Sequence, residues 1–388
     1  MSNFYIILSL QKFPNDGSQI LVDVASYLTQ QNLNLKLDSL DVKFIQMNWK
    51  DSHSQIISDF LKFVNPDINR LSIDIQQNLF TLEGLSSILV RLCMLFSNLK
   101  QLEINFQNNQ MKNQISNEQI CLGLQSVFNL KYLTDLTLDL SQNHIFYEFF
   151  EGIRAQQKFQ PNSTLKRLKL IIKHQEKVLD ISSLSHIFKG TQNLTKFQLI
   201  LINTCFQNTQ QFMEALSISK LITFQLDVSI LANSTFETLQ QPTRNYEPFL
   251  QEQILKLFSY LVQCKHLMEI DFTFKNHKFN DQYILLLSKI LNQSNQLHKI
   301  SLDFQQNFLN RSYTYESIMQ LQTSLLSREI LSQGLIYTNQ ETIQNKNMLS
   351  NQYSLEIQQI LVKYIVFSKL TEKYNLFNPK FAFQDFYF

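Results

Sequence analysis

The fold of this chain is decided by residues 133–145, which read LTDLTLDLSQNHI. One apolar residue is followed, after two other residues, by three apolar residues at alternate positions. An asparagine stands three positions after the last of them. These residues are Leu133, Leu136, Leu138, Leu140 and Asn143. Alternation of apolar and polar residues predicts a short β-strand with one buried face. The closing asparagine is placed where its side-chain amide can hydrogen-bond backbone groups of the turn that ends the strand.

The same pattern recurs along the chain. Complete copies also begin at Ile68, Leu99 and Leu297. Incomplete copies, in which the asparagine is replaced or the tail is missing, begin at Leu37, Leu165, Leu194, Leu221 and Leu267. Successive copies begin 27 to 34 residues apart, apart from one interval of 46 residues after Leu221. Nine copies at a near-constant period predict a repeat architecture rather than several unrelated α/β units, which are the alternative.

The segments between the predicted strands have helical periodicity. From Leu82 to Phe96, for example, apolar residues recur every three or four positions, which is typical of an amphipathic helix. One strand and one helix cannot bury both of their apolar faces alone, but stacked neighbouring repeats can. The sequence therefore predicts an α/β fold: a right-handed β/α solenoid with a parallel sheet on its concave face and helices on its convex face.

These repeats resemble leucine-rich repeats, and their period of about 30 residues is similar to that of the ribonuclease-inhibitor-like subclass. The resemblance covers roughly residues 33–310 and implies a horseshoe whose return segments are helical. It has two departures. The asparagine falls one pair of residues later than in the common consensus, and four middle copies lack it, so that irregular turns are expected there. The residues that hold the asparagine slot in those copies are Gln175, Thr204, Leu231 and His277.

The periodicity divides the chain into three predicted parts: an N-terminal cap (residues 1–32), a leucine-rich-repeat array of about nine repeats (residues 33–310) and a helical C-terminal cap with an aromatic tail (residues 311–388). Helices are expected near Tyr315–Ile336 and Leu355–Tyr374. The tail that begins at Phe377 either packs as part of the cap or docks a partner. The long interval predicts a loop from Ala232 to Pro248, which is either a contact element or a neutral insertion.

Composition narrows the possible functions. Apolar residues make up 44% of the chain and charged residues 17%, so it can bury a large core. A net charge of +2 argues against a dedicated duplex-DNA binder. No apolar segment is long enough to span a membrane, which predicts a soluble, cytoplasmic protein without membrane partners. The four cysteines are far apart and contain no CxxC pair, so we expect reduced thiols and no metal site. They are Cys93, Cys121, Cys205 and Cys264.

No catalytic motif is found in the sequence. It contains no GxGxxG, GxxxxGK[ST], HExxH or GxSxG pattern. The histidines His144, His174 and His277 fall in or beside turns after strands, where a hydrogen-bonding role is expected. The sequence therefore predicts a protein that is not an enzyme and carries no cofactor. Regulators of small GTPases exist among leucine-rich-repeat proteins, but no distinctive signature of that activity is found. Ribonuclease inhibition would be expected with a cysteine-rich, acidic chain.

The polar positions that alternate with the buried ones should line the concave face. Early repeats contribute acids there, the middle repeats contribute cations with exposed isoleucines, and late repeats contribute acids again. The early acids are Asp74, Glu103, Asp135 and Asp139. The middle residues are Arg167, Lys169, Lys173 and Lys196, with Ile171, Ile200 and Ile202. The late acids are Asp227, Glu269, Asp271 and Asp303. Chance is the alternative explanation of this segregation.

Segregated charges around an aliphatic centre are typical of a surface that recognises a protein. The sequence therefore predicts a non-catalytic protein-interaction scaffold, or a subunit of a larger assembly such as a cytoskeletal or ciliary complex. The predicted partner-binding residues are Arg167, Lys169, Ile171, Lys173, Lys196, Ile200, Asp135 and Asp139. One alternative is RNA or anionic-ligand binding through Lys166, Arg167, Lys169, Lys173 and Lys177, which lack the interleaved aromatic residues of single-strand binders. The other is regulation of a small GTPase.

Overall fold

A computed structural model describes most of the repeat region. The described residues are 5–11, 18–30, 37–64, 66–109, 117–143, 164–174, 178–229, 246–261, 263–275, 281–293, 296–303 and 333–337. They fall into two compact units that divide between Leu221 and Ile222. Each unit has its own set of parallel strands and its own helices.

In the first unit, parallel strands lie side by side in chain order. They are β1 (Tyr5–Gln11), β2 (Ser39–Ile45), β3 (Arg70–Asp74), β4 (Gln101–Asn105), β5 (Asp135–Asp139), β6 (Arg167–Ile171) and β8 (Lys196–Ile200). The two-residue strand β7 (Leu179–Asp180) lies between β6 and β8 in the sequence and pairs in parallel with β9 (Phe206–Gln207).

Helices occupy the return segments of the first unit. They are α1 (Ser18–Gln30), α2 (Ser54–Leu61), α3 (Leu82–Leu95), α4 (Asn117–Phe128), α5 (Leu184–Gly190) and α6 (Thr209–Ile218). Neighbouring helices pack against each other, α2 on α3, α3 on α4 and α5 on α6. The closest approach of α3 and α4 requires Gly123, because a Cβ at that position would lie 2.8 Å from the Cα of Ser86.

The second unit repeats the arrangement with fewer elements. Its strands β10 (Thr223–Asp227), β11 (Glu269–Thr273), β12 (Lys299–Asp303) and β13 (Gln333–Tyr337) pair in parallel and in chain order. Helix α7 (Tyr246–Leu261) follows β10, and α8 (Asp281–Gln293) follows β11. The two helices contact each other.

The strand pairs are in register with the sequence repeat, so equivalent residues of successive repeats are direct neighbours. Leu71 of β3 pairs with Leu102 of β4, and Leu102 pairs with Leu136 of β5. Buried and half-exposed residues alternate along these strands. The predicted alternation and parallel pairing are therefore confirmed for the described strands. A run of parallel strands joined by helices fits a leucine-rich-repeat-like solenoid.

Helices cover the buried face of the strands and complete the core. In the first unit, the ring of Phe188 in α5 lies edge-on to Phe197 of β8, with centroids 5.0 Å apart. In the second unit, Phe258 of α7 lies 5.7 Å from Phe272 of β11. Each fully buried aromatic side chain contributes about 1.5–3 kcal/mol relative to an exposed one. These contacts bury the apolar face of a strand against the apolar face of a helix, as the strand and helix periodicities of the sequence predicted.

The closing asparagines form a hydrogen-bonded ladder between repeats. The Asn109 amide donates to the carbonyl of Phe106 in its own repeat, at 2.8 Å, and to the carbonyl of Ile75 in the preceding repeat, at 3.1 Å. The Asn143 amide likewise donates to Leu140 and to Phe106, both at 3.0 Å. Its carbonyl oxygen accepts the backbone N–H of Asn109 at 2.9 Å. Each asparagine therefore ties its own turn to the one before it.

One middle turn that lacks asparagine keeps the same link. The Thr204 hydroxyl lies 3.1 Å from the carbonyl of Ile202 in its own turn and 3.1 Å from that of Ile172 in the preceding repeat. The threonine hydroxyl has a single proton, so it donates to one of these two carbonyls at a time, whereas the asparagine amide can donate to both. The turn is regular here, although the sequence predicted irregularity. The other three replacements, Gln175, Leu231 and His277, lie outside the described residues.

Every described turn of the first unit that follows β2 to β6 or β8 contains a residue in the left-handed conformation. These residues stand three positions after the fifth strand residue of the repeat, with φ between 51° and 57°; they are Gln46, Gln77, Asn108, Gln142, His174 and Asn203. The conformation costs a non-glycine residue roughly 1–2 kcal/mol. The backbone N–H groups of these residues form hydrogen bonds between repeats: those of Gln77, Asn108 and Gln142 donate to carbonyls of the next repeat at 2.8–2.9 Å.

The ends of the array differ in part from the sequence prediction. The predicted N-terminal cap contains strand β1, which pairs with β2, and helix α1; its capping role stays a prediction. Gln333–Tyr337 forms strand β13, so the helix predicted up to Ile336 is wrong in this segment, because pairing with β12 satisfies its backbone instead. The rest of the predicted C-terminal cap, including the aromatic tail, lies outside the described residues.

The predicted loop from Ala232 to Pro248 is wrong at its end. Tyr246–Leu261 is helix α7, so the last three residues of the predicted loop belong to it. Pro248 stands in the first turn of this helix, where a backbone N–H has no partner within the helix and proline is tolerated. The remainder of the predicted loop lies outside the described residues.

The ladder predicts the effect of replacing Asn109. Asn109→Ala should lower the free energy of unfolding by about 1–3 kcal/mol, because buried carbonyls and an N–H lose their partner. Asn109→Thr should lower it less, since a hydroxyl keeps one donor within reach of the same two carbonyls, as Thr204 does. Urea denaturation followed by circular dichroism measures both. The matched control is Asn98→Ala, at an exposed amide whose hydrogen bond to Asp67 is on the surface. Equal effects of Asn109→Ala and Asn98→Ala would contradict the structural role of the ladder.

Candidate protein-binding site

The predicted binding residues lie on three strands of the first unit, on the face opposite the buried one. We call this face the half-exposed face; it consists of the first, third and fifth residues of each strand. Register pairs Asp135 with Arg167 and Arg167 with Lys196 across the first positions. At the third positions, Lys169 lies between Thr137 and Gln198. At the fifth positions, Ile171 lies between Asp139 and Ile200.

The aliphatic part of this surface continues past the ends of the strands. Backbone pairing extends beyond β6 and β8, because Ile172 donates to Ile200 at 2.8 Å and His174 donates to Ile202 at 2.9 Å. This pairing places Lys173 beside Ile202. The structure therefore brings together the cations and isoleucines that the sequence predicted. We call Arg167, Lys169, Ile171, Lys173, Lys196, Ile200 and Ile202 the middle patch; Arg167 is exposed and the others are half-exposed.

The two predicted acidic contacts have partners within the protein. The Arg167 guanidinium forms an ion pair with the Asp135 carboxylate. The Asp139 carboxylate accepts the backbone N–H of Ser141 at 3.0 Å. Asp74 and Asp227 accept in the same way from Gln76, at 3.2 Å, and from Ser229, at 3.0 Å. Aspartate at the last strand position therefore stabilises the turn, whether or not it also contacts a partner.

Charge is more mixed outside the middle patch than the sequence prediction stated. On β3 and β4, Arg70 lies 3.9 Å from the carboxylate of Glu103, and on β2 the Lys43 amine lies 3.6 Å from Asp41. In the second unit, Lys275 lies 3.1 Å from Asp303. Cations therefore also stand among the acids that the sequence predicted for the flanking strands. Arg70 holds a first strand position and Lys43 a fifth, so the alternation in the sequence already assigned both to this face.

Comparisons with known proteins identify no family. No protein-family model matches the chain, and no curated protein matches it. Among solved structures, the chain is similar to one in the "Crystal structure of Rad7 and Elc1 complex in yeast". The TM-score is 0.29 and the identity 11%, over 84% of this chain and 85% of that one. At this distance the similarity carries no argument about function.

Other reactive groups of the described residues are suited to structural roles. Burial raises the pKa of the Cys93 and Cys264 thiols to about 12, and it also raises the pKa of Cys205. Thiols with raised pKa are poor nucleophiles and poor metal ligands at neutral pH. No group of three or more acidic, histidine or cysteine residues in the described segments is placed to hold a metal ion. Within the same segments, no helix has the length and apolar character needed to cross a bilayer.

His174 has the hydrogen-bonding role that the sequence predicted. Its Nδ1 lies 3.1 Å from the amide nitrogen of Asn203, across one repeat, at the edge of the middle patch. The amide nitrogen is a donor only, so Nδ1 accepts and the neutral ring fits this contact. Burial, and then the charge of Lys173, lower the pKa of His174 below its usual range. The other two histidines of the prediction, His144 and His277, lie outside the described residues.

This environment predicts how stability changes with acid. Because the pKa of His174 is lower in the folded chain than in the unfolded chain, the unfolded chain binds the proton more readily. The stabilisation by the neutral ring is therefore present above the unfolded pKa of about 6.5 and is lost as pH falls through the folded value. His174→Asn keeps a residue that tolerates the left-handed conformation but does not titrate. When the pH is lowered from 8 to 5, the urea midpoint of unfolding should fall further for the unmodified chain than for this variant. Equal falls would contradict the assignment.

Proposed function

We propose that this chain is a leucine-rich-repeat protein of the ribonuclease-inhibitor-like subclass, with a right-handed turn, a concave sheet and helices on the convex side. Its proposed role is non-catalytic: it binds a protein partner through the half-exposed face, as a scaffold or as a subunit of a larger assembly. The helical return segments of the described repeats support the subclass. The position of the middle patch on that face supports the role.

The observation that carries the proposal is the pairing of isoleucines on neighbouring strands among cations. Ile171 and Ile200 are direct neighbours in the register, and both are half-exposed. In the early strands β3 and β4 the same strand positions hold Asp74 and Asn105. Both side chains are only partly removed from water in the free protein, and a partner that covers them would remove the remaining apolar surface from water. A desolvated aliphatic centre within a charged rim is the usual arrangement of a protein interface.

The patch residues divide into three proposed roles. Lys169, Lys173 and Lys196 contact carboxylates of the partner, and Ile171 and Ile200 pack against its apolar atoms. Arg167 belongs to the same cationic surface and is oriented by Asp135, with Asp139 holding the turn beside the patch. Complementary charge mainly accelerates encounter and sets the register of a complex, while the apolar centre supplies most of the affinity.

Charge reversal tests this proposal. The double variant Lys169→Glu/Lys173→Glu should reduce partner capture at least tenfold, since each reversal places like charges opposite each other. Its melting temperature should stay close to that of the unmodified chain, because Lys169 lies on the half-exposed face and Lys173, just beyond the end of β6, is half-exposed as well. Proteins retained from a lysate by the two forms are compared by quantitative mass spectrometry.

The matched control is Lys189→Glu/Lys265→Glu, which changes the net charge equally. Both lysines are exposed, and neither belongs to the half-exposed face. This control should retain the same proteins as the unmodified chain. If the patch variant retains its partners as well, the middle patch is not the binding site.

A second candidate function is the binding of RNA or another anionic ligand by the same cations. It is favoured by Lys166, which is exposed beside Arg167 at the start of β6; Lys177, the remaining residue of that prediction, lies outside the described residues. Phosphate binding releases counterions, so its affinity should fall steeply and log-linearly with salt. A complex with an apolar centre should lose much less of its affinity over the same salt range.

Three further assignments remain proposals: residence in the cytoplasm, membership of a cytoskeletal or ciliary assembly, and, as an alternative role, regulation of a small GTPase. Affinity purification followed by mass spectrometry would identify the assembly. A GTP-hydrolysis or nucleotide-exchange assay on any GTPase that is recovered would test the third assignment directly.

A further inference from the structure

From β6 to β8 the first and fifth strand positions of the middle patch keep their chemistry, whereas along each strand a cation at the first position gives way to isoleucine at the fifth. On β6 the half-exposed residues run Arg167, Lys169 and Ile171, and Lys173 follows. On β8 they run Lys196, Gln198 and Ile200, and Ile202 follows. Both strands therefore begin with a cation and end with isoleucine, and their equivalent residues are paired in register. A ligand that runs along the strands meets the cationic part and the aliphatic part in turn.

The spacing of these residues fits an extended polypeptide. Residues two apart on a strand are separated by about 6.6 Å, and alternate side chains of any extended peptide have the same separation. Neighbouring strands are only about 4.8 Å apart. An extended peptide that crossed the strands at right angles would therefore fall out of step with them. It would also meet opposite charges in succession, because Asp135, Arg167 and Lys196 follow each other in that direction.

The acidic strand beside the patch defines one of its edges. Asp135 and Asp139 stand on β5, directly next to Arg167 and Ile171. A carboxylate placed over β5 would face these acids, whereas a carboxylate placed over β6 or β8 would face Arg167, Lys169 or Lys196. Like charges directly opposite each other oppose association. An acidic ligand is therefore confined to the side of the patch formed by β6 and β8.

We propose that the middle patch binds an extended acidic segment of a partner protein that runs along β6 and β8. The segment carries carboxylates at its first, third and seventh positions and an aliphatic side chain at its fifth. The first carboxylate faces Arg167 and Lys196, and the second faces Lys169. The aliphatic side chain lies between Ile171 and Ile200, and the last carboxylate faces Lys173. This inference rests on the proposed function and specifies the partner of the same site.

Two fluorescent peptides of identical composition test the spacing. Peptide A is Glu-Ser-Glu-Ser-Leu-Ser-Glu, and peptide B is Glu-Glu-Glu-Leu-Ser-Ser-Ser. Their net charges are equal, but only peptide A places its carboxylates and leucine at the two-residue step of the patch. Fluorescence anisotropy with the full chain should give peptide A at least tenfold higher affinity. Unspecific attraction to cations would favour peptide B, whose charges are more concentrated, so equal binding or preference for B would overturn the proposal.

A charge exchange tests the assigned alignment. Lys169→Glu should weaken binding of peptide A at least tenfold. Peptide C, in which the second Glu of peptide A is replaced by Lys, should bind this variant more tightly than it binds the unmodified chain. Lys189→Glu is the matched control and should change neither affinity. If peptide C gains nothing on the variant, the second carboxylate does not face Lys169 and the alignment is overturned. Circular dichroism of each variant confirms that it is folded.

The aliphatic contact has its own test, which also separates a protein ligand from a nucleic acid. Ile171→Ser should reduce the affinity for peptide A at least threefold, because the leucine loses an apolar neighbour. A uridylate oligomer should bind more weakly than peptide A. A uridylate oligomer that binds more tightly than peptide A, and equally well to Ile171→Ser, would overturn the proposal in favour of nucleic acid.

Failure of this inference is distinguishable from failure of the proposed function. If partner capture depends on Lys169 and Lys173 but peptides A and B bind equally, the partner is held by some other shape and only the extended-segment proposal fails. If capture is independent of both lysines, the proposed function itself fails.

Discussion

The structure depends on satisfying the backbone where each strand ends and the chain turns away from the sheet. At that point the carbonyls of two successive repeats converge without strand partners, and unsatisfied buried carbonyls each cost on the order of 1–3 kcal/mol. Asn78, Asn109 and Asn143 meet this requirement with one side chain per repeat. Each amide bonds its own turn and the preceding turn at once, so the geometry of one repeat is transmitted to the next. In these repeats the alignment holds equivalent residues of neighbouring strands in register.

The same constraint explains residues that local preferences would not select. Gln46, Gln77 and Gln142 adopt a left-handed conformation that glycine or asparagine would adopt at lower cost. At Gln77 and Gln142 the turn is held from several sides: by the ladder asparagine, by the carboxylate at the fifth strand position and by a backbone hydrogen bond to the next repeat. Thr204 illustrates that the requirement is for a donor at the right place rather than for asparagine itself.

Because the turns fix the register, the half-exposed face is a surface whose chemistry can vary while its backbone stays constant. In β3 and β4 the face holds paired charges, such as Arg70 and Glu103. In β6 and β8 it holds cations followed by isoleucines. The fold requires neither arrangement, since the side chains on this face do not fill the core. The change from paired charges to an aliphatic cluster within one sheet is therefore a change of surface chemistry on a constant backbone.

The sequence by itself determined the repeat, the alternation within each strand and the residues that share the half-exposed face, because a period of two positions assigns every strand residue to one side. Tertiary structure decided what lies beside each residue. It paired Asp135 with Arg167 and placed Asp139 where its carboxylate accepts the backbone N–H of Ser141. It also placed Gln333–Tyr337 in a strand, in a segment where the sequence predicted a helix. The backbone hydrogen bonds that a neighbouring strand supplies do not depend on side-chain identity, so a helical apolar spacing does not prevent a segment from pairing. Strand Tyr5–Gln11 differs, because its alternating Ile6, Leu8 and Leu10 already stand in register with Leu40, Val42 and Phe44.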